Sequence, residues 1–162
     1  EFIVSEMDKD KSISYPQAAY ILATTWHETA HTMLPIEEYG KGKGRKYGQH
    51  YDMDGSIYRD LDHIYYGRGY VQLTWLSNYA FAKKKLGVDF VNHPEYALQK
   101  EHAVKILLTG MKEGWFTGRK LSDYINQSKK DYVNARRIIN GTEKAQAIAG
   151  YANTFEKALG SL

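Results

Sequence analysis

The chain has 162 residues, 22 of them basic and 19 acidic, with 43% hydrophobic and 25% charged residues. That balance fits one domain with its own core and excludes a disordered or fibrous chain. It has no cysteine, which excludes disulfides and thiolate metal sites and fits synthesis in a reducing compartment.

No segment approaches the ~18 consecutive apolar residues of a membrane helix, and no basic-plus-apolar leader is visible, although a first residue of Glu1 leaves upstream residues open. The net charge of +3 suits an anionic polymer without identifying one. Fourteen Tyr against five Phe supply flat faces with hydroxyls, suited to sugar rings or to half-buried sites alike.

Phe2, Ile3 and Val4 read as the tail of a helix, followed by a polar connection over Asp8–Ser12. Ser14-Tyr15-Pro16 marks a helix start. Ala19, Leu22, Ala23 and Trp26 then recur at helical spacing, and Glu28 falls in the last turns before Pro35. Residues 39–64 carry alternating Gly and Lys and then several Asp, and read as a long functional loop, with room for a short hairpin. A helix is predicted over Asn78–Leu86 with Gly87 as its C-terminal cap, a short one from Pro94, and one over Lys100–Lys112 with Ala103, Ile106, Leu107 and Met111 inward. Gly114–Gly118 is a turn, and Asp131–Ile139 is helical. Thr142 is placed to cap a last helix whose inner face is Ala147, Tyr151, Phe155 and Leu159. The expectation is a single domain over 1–162.

His27-Glu28-Thr29-Ala30-His31 supports two chemistries. Histidines at i and i+4 of a helix can share a zinc ion, with the intervening Glu as base on the metal-bound water. Against this, no third ligand pattern follows His31, Pro35 is close, and His50, His63, His93 and His102 are scattered. The alternative is glycosidic hydrolysis by two carboxyl groups, one protonating the leaving oxygen and the other activating water. Glu28 lies near Trp26, Met33 and Leu34, and apolar surroundings favour a protonated carboxyl. Glu37 and Glu38, close to Lys41 and Lys43, are the candidate bases. Two acids after a helix are also an ordinary solvated turn.

Tyr66-Gly67-Arg68-Gly69-x-x-Gln72-Leu73-Thr74-Trp75-x-x-Asn78-Tyr79 resembles the central signature of glycoside hydrolase family 19, the chitinases and lysozyme-like endolysins. The segment His27-Glu28-Thr29 resembles that family's catalytic helix, and Arg137-Ile138-Ile139-Asn140-Gly141 its later substrate-binding segment, in the same order. Gly114–Gly118 and Tyr151…Leu159 are similar to the phage endolysin branch, which the missing cysteines also fit.

The resemblance implies a mainly α, lysozyme-like fold with a central cleft, and a long loop or short hairpin between the catalytic helix and the Tyr65–Thr74 motif. It implies Glu28 as general acid, Glu37 as general base with Glu38 as fallback, and Thr74 orienting the water. Gln72, Asn78 and Asn140 would bind sugar hydroxyls and N-acetyl groups, while Tyr66 and Trp75 line the cleft. Asn and Gln both donate and accept, which matches an acetamido sugar. Arg68 reads as structural, and Gly67 and Gly69 as permitting unusual backbone angles.

Two departures bear on substrate: residues 39–64 replace the loop that holds the second acid in the plant chitinases, and Ile148 stands near an Arg of their last helix. The implied activity is therefore hydrolysis of peptidoglycan β-1,4 bonds with inversion, the two carboxyls about 6.5–9.5 Å apart. No cofactor, metal or nucleic acid is implied, and a monomer is expected. Such an enzyme is made in the host cytoplasm and acts on the wall in the periplasm. The alternatives are a chitinase, an HExxH zinc peptidase and a non-catalytic wall-binding module.

Three weaker signals remain. Asp52, Asp54, Asp60 and Asp62 around Gly55 give a poor calcium loop, with the glycine misplaced. The run Gly40–Lys46 lacks the strand–loop–helix context of a phosphate loop and contacts anionic wall polymer or simply solvent. Lys129, Lys130, Arg136 and Arg137 face an anionic envelope or form a solvated helix face.

Overall fold

A computed structural model describes residues 1–51 and 53–161; Asp52, part of the weak calcium pattern, lies outside the described residues. The chain is mainly α-helical, with six α-helices, two 3-10 segments and four short strands among the described residues. It divides into two compact units, Glu1–Met33 with Val104–Leu162, and Leu34–Ala103. The boundary falls within helix α4 (Lys100–Glu113).

In the first unit, α1 (Phe2–Asp8) buries Ile3 and Met7. Helix α2 (Tyr15–Glu28) starts at a reciprocal cap. The Ser14 hydroxyl accepts from the Gln17 N–H at 3.3 Å, and the Gln17 side chain accepts from the Ser14 N–H at 3.2 Å. Residues Ala18 to Thr25 are all buried, so α2 is a central helix rather than a one-faced one.

Its main neighbour is α6 (Ala145–Gly160), which buries Ala145, Ile148, Ala149 and Ala152. The face expected from sequence is corrected: Ala147 is exposed, and Tyr151, Phe155 and Leu159 are half-buried. Small residues let two backbones approach closely, so alanines take the contact and the larger side chains flank it.

Thr142 is not the cap of α6. Lys144 holds that position at φ 62°, and the Thr142 carbonyl accepts from the Ala145 N–H. The helix expected over 131–139 is a 3-10 segment, Asn134–Ile138. The Asp131 carboxylate gathers the Asn134 N–H and side-chain amide at 3.0 and 2.8 Å, tightening the entry. One short helix, α5 (Leu121–Tyr124), is additional to those expected.

In the second unit, β1 (Ile36–Glu37) pairs antiparallel with β4 (Arg68–Gly69). The segment 39–64 contains a hairpin of β2 (Gln49–Tyr51) and β3 (Ile57–Asp60), with a register shift between His50 and Tyr51. Asp54 turns it by accepting from the Ser56 N–H and hydroxyl. Helix α3 (Leu76–Leu86) ends at Gly87, φ 71°. A 3-10 segment follows over Pro94–Leu98.

Arg68 is the polar centre of this unit. Its guanidinium is buried, donates to the Ile64 and Tyr66 carbonyls and the Tyr79 hydroxyl, and lies 3.6 Å from the Tyr66 ring centroid. Burial pushes the Tyr79 hydroxyl up to about 12, so it stays protonated and donates to the Tyr66 carbonyl at 2.6 Å.

Candidate active site

Glu28 is the last residue of α2. The helix stops in a Schellman turn: the His31 N–H reaches the Trp26 carbonyl at 2.8 Å, and the Ala30 N–H reaches His27 at 3.3 Å. Ala30 takes the left-handed position that glycine usually holds, at φ 51°, with His31 and Met33 also at positive φ. Buried Thr29 staples the turn, its hydroxyl donating to the Thr25 carbonyl and accepting from the Met33 N–H. His31 folds back so that its ring stacks on Trp26, 4.4 Å between centroids and 6° from parallel. His27 and His31 therefore do not share a helical face, which removes the geometry an HExxH site requires. No cluster of three metal-ligating side chains forms among the described residues.

The Glu28 carboxylate is held by Arg136, whose guanidinium donates to Oε1 at 2.7 Å and, through Nε, to the Glu143 carbonyl at 3.1 Å. The Arg136 side chain is 5% exposed and that of Glu28 is 19%. Glu28 thus faces a guanidinium rather than only the apolar neighbours expected from sequence, and the bond is charge-assisted. Arg136 is neither an envelope contact nor part of a solvated face: burial beside a carboxylate is its role. Asn140, also in this unit, is exposed, and its side-chain oxygen accepts from the Gly141 N–H.

In the second unit the two adjacent acids part ways. Glu37 is solvent-facing on β1 and pairs with Lys41 at 3.3 Å. The Glu38 carboxylate accepts from the backbone N–H of Gly42 at 3.1 Å and of Gly67 at 3.3 Å. It is spent on tying the loop to the Tyr66–Gly69 motif.

Around Thr74 the backbone is strained, with Gln72 at φ 61° and Trp75 at φ 74°, the kind of strain that clusters at working sites. The Thr74 hydroxyl donates to the Gln72 carbonyl at 3.0 Å. The Gln72 amide braces the backbone, donating to the Ile36 and Gly69 carbonyls. Asn78 is exposed and donates to the Thr74 carbonyl at 2.8 Å. Gly69 does need its φ of 100°, but Gly67 is required for space: a Cβ there would lie 2.5 Å from the Gln72 side-chain oxygen.

Trp75, 44% exposed, meets Tyr47 edge-on at 4.5 Å. The two rings, with Gln49, His50, Tyr51 and Leu76, line a groove of about 410 Å³. Tyr66 is half-buried under Arg68 rather than in that groove. A larger cavity of about 600 Å³ in the first unit is lined by Val4, Met7, Ile13, Tyr15 and Leu159 and holds none of the expected site residues.

The family model described as chitinase class I, glycoside hydrolase family 19, matches residues 7–120. The chain belongs to glycoside hydrolase family 19. It is accordingly a glycoside hydrolase of the chitinase and lysozyme-like kind. No curated protein matches it. The family span contains Glu28, Glu37, Thr74, Gln72, Asn78, Tyr66 and Trp75, whereas Arg136 and Asn140 lie beyond its end. Arg136 is the residue that sequence reasoning missed. A doublet of arginines looks like a surface, and the signal in the sequence was the apolar pair Ala135 and Ile138 flanking it, which the structure buries together with Arg136 while Arg137 is exposed.

Proposed function

We propose that this family 19 hydrolase is an endolysin-type enzyme cleaving the β-1,4 bonds of peptidoglycan with inversion. The observation that carries the reading is the family match over residues 7–120, since that span holds both candidate acids and Thr74. Peptidoglycan is favoured over chitin by the endolysin-like segments 114–118 and 151–159, the absence of cysteine, and the hairpin that stands where the plant enzymes carry a longer catalytic loop.

In this mechanism Glu28 gives its proton to the glycosidic oxygen. Arg136 fixes Oε1, which leaves Oε2 as the atom that delivers it. Glu37 takes a proton from a water attacking the anomeric carbon from the opposite face. The division of labour between Glu37 and Glu38 favours Glu37 as base, because Glu38 already accepts two backbone N–H groups. The Thr74 proton is occupied by the Gln72 carbonyl, so its oxygen offers lone pairs to a water hydrogen. Asn78 and Asn140 are placed at exposed positions suited to sugar hydroxyls, and Trp75 to stacking on a ring. No cofactor takes part. Synthesis in a host bacterium and action on the wall in the periplasm follow from this reading.

The test is release of reducing ends from purified peptidoglycan, and lysis of permeabilised Gram-negative cells, by wild type, Glu28→Gln and Glu37→Gln, with and without EDTA. The expected result is turnover by wild type, insensitive to EDTA and lost in both variants. Turnover only on chitin oligomers would make it a chitinase. EDTA-sensitive activity would revive a metal mechanism, and binding without turnover would make it a wall-binding module.

A further inference from the structure

The run Gly40–Lys46 is used by nothing in the mechanism above, yet it is built rather than loose. Three successive turns close it, with the N–H groups of Lys41, Lys43 and Arg45 donating to the carbonyls of Glu38, Gly40 and Gly42. Gly40, Lys41, Gly42 and Gly44 all stand at positive φ, 84°, 48°, 77° and 77°. Gly42 is the inward point. It is buried, and a side chain there would press on Ile64, Tyr47 and Tyr66 at 3.1–3.2 Å. The Glu38 carboxylate then ties Gly42 to Gly67.

Between these pinned glycines Lys41, Lys43, Arg45 and Lys46 are all exposed, and residues 39–48 contain no acidic side chain. Lys41 pairs with Glu37, and Lys46 lies 5.2 Å from the centroid of the Tyr51 ring at the aromatic groove. Lys43 and Arg45 make no ion pair among the described residues. A row of cations on a turn-closed backbone thus starts at the Glu37 carboxylate and ends at the groove.

We infer that this row recognises the carboxylates borne by the peptide-substituted peptidoglycan strand, selecting an anionic glycan over a neutral one. The inference rests on the peptidoglycan reading and adds the feature of the substrate that the site reads. A neutral N-acetylated polymer gives Lys43 and Arg45 no anion to meet, and the repulsion among the cations of the row costs stability unless an anion relieves it. A carboxylate brought beside Glu37 would by contrast be repelled without them. The attraction acts across solvent, so salt screens it, with a Debye length of about 10 Å at 0.1 M.

The experiment compares native sacculi, free of outer-membrane polyanions, with the same sacculi after their carboxyls are converted to neutral amides. Wild type and Lys43→Glu/Arg45→Glu are assayed at low salt and at high salt, with Lys43→Gln/Arg45→Gln as a milder second variant. The readout is the ratio of kcat/KM on native to amidated material, and thermal unfolding checks each fold.

At low salt wild type is expected to prefer native sacculi by about three- to tenfold, the range two exposed charge pairs supply. The preference fades at high salt, falls towards one in the glutamine variant and inverts in the glutamate variant. Equal rates of wild type on both materials, or a preference that survives both variants, would overturn the inference while leaving the peptidoglycan reading intact. Cation-dependent adsorption to whole envelopes without any preference on sacculi would assign the row to an outer polyanion and also overturn it. No turnover on either material would remove the peptidoglycan reading itself, and the inference with it.

Discussion

Glu28 and its partner set the expectations at the scale of single residues. Replacing Glu28 by Gln keeps shape and removes the transferable proton, so kcat should fall by about 10²–10⁴ while the fold survives. Arg136→Ala leaves a partly buried carboxylate without its cation. Unfolding titrations should show a loss of about 2–4 kcal/mol. Combining Arg136→Met with Glu28→Gln should recover part of that loss, because the remaining group is neutral; strict additivity would count against the pair. Glu37 and Glu38 give a sharper contrast. Glu37→Ala should abolish turnover and barely move the melting temperature, since its ion pair with Lys41 is exposed. Glu38→Ala orphans the Gly42 and Gly67 N–H groups and should cost about 1–3 kcal/mol. A reversed pattern in paired activity and melting assays would exchange their roles.

At the scale of elements, legibility followed how local the physics was. Ser14 and Pro16 announce the start of α2, and Gly87 the end of α3, because caps are satisfied within one turn. Ser14→Ala should therefore cost about 1 kcal/mol in thermal or denaturant unfolding. The inner face of α6 was misplaced because small alanines win a close helix contact that hydrophobicity alone assigns to Tyr151 and Phe155. The 3-10 segment at 134–138 was overdrawn as an α-helix because the Asp131 cap looks alike for both.

The family signature was legible around Tyr66–Tyr79, but the work of Gln72 was not, since its amide bonds to Ile36, thirty-six residues away. A still longer separation hid the Arg136–Glu28 pair, 108 residues apart. A related long-range tie predicts acid sensitivity. Bonds from Lys112 and Ser12 hold the Asp10 carboxyl down to about 2 from its ordinary 3.8. A depressed folded value contributes stability above the unfolded one, so this share is present above about pH 4 and lost between about pH 4 and 2. Asp10→Asn should flatten the stability curve in that window and leave its shape above pH 5 unchanged.

For the molecule as a whole, the proposed inverting mechanism makes a stereochemical demand. An inverting cleavage of β-1,4 bonds must first release the α-anomer. Proton NMR of freshly cut ends, read before mutarotation, should show it; a β-anomer first would mean a covalent intermediate and a different use of the second acid. The mainly helical fold with its intervening hairpin was legible from periodicity and from the glycine-rich stretch 39–64, because helical spacing and turn residues are written locally. What each unit does with its buried polar groups was not, since Arg68 and Arg136 carry the same letter and the same charge as exposed Arg59 and Arg137.

The turn at Ala30 bears on how chains of this kind are sorted. Five letters that a pattern search would file with zinc peptidases are separated from that chemistry by a turn that sets Ala30 at φ 51° and His31 at φ 70°. A helix wound one turn further would carry the second imidazole round beside the first. In this chain the imidazole lies flat on an indole instead. A β-branched residue at position 30 resists that dihedral, so Ala30→Val strains the point where the two spellings diverge, whereas Ala30→Gly keeps the hydrolase spelling at lower strain. The catalytic vocabulary of the segment is thus written in torsion angles, and its alphabet alone is ambiguous.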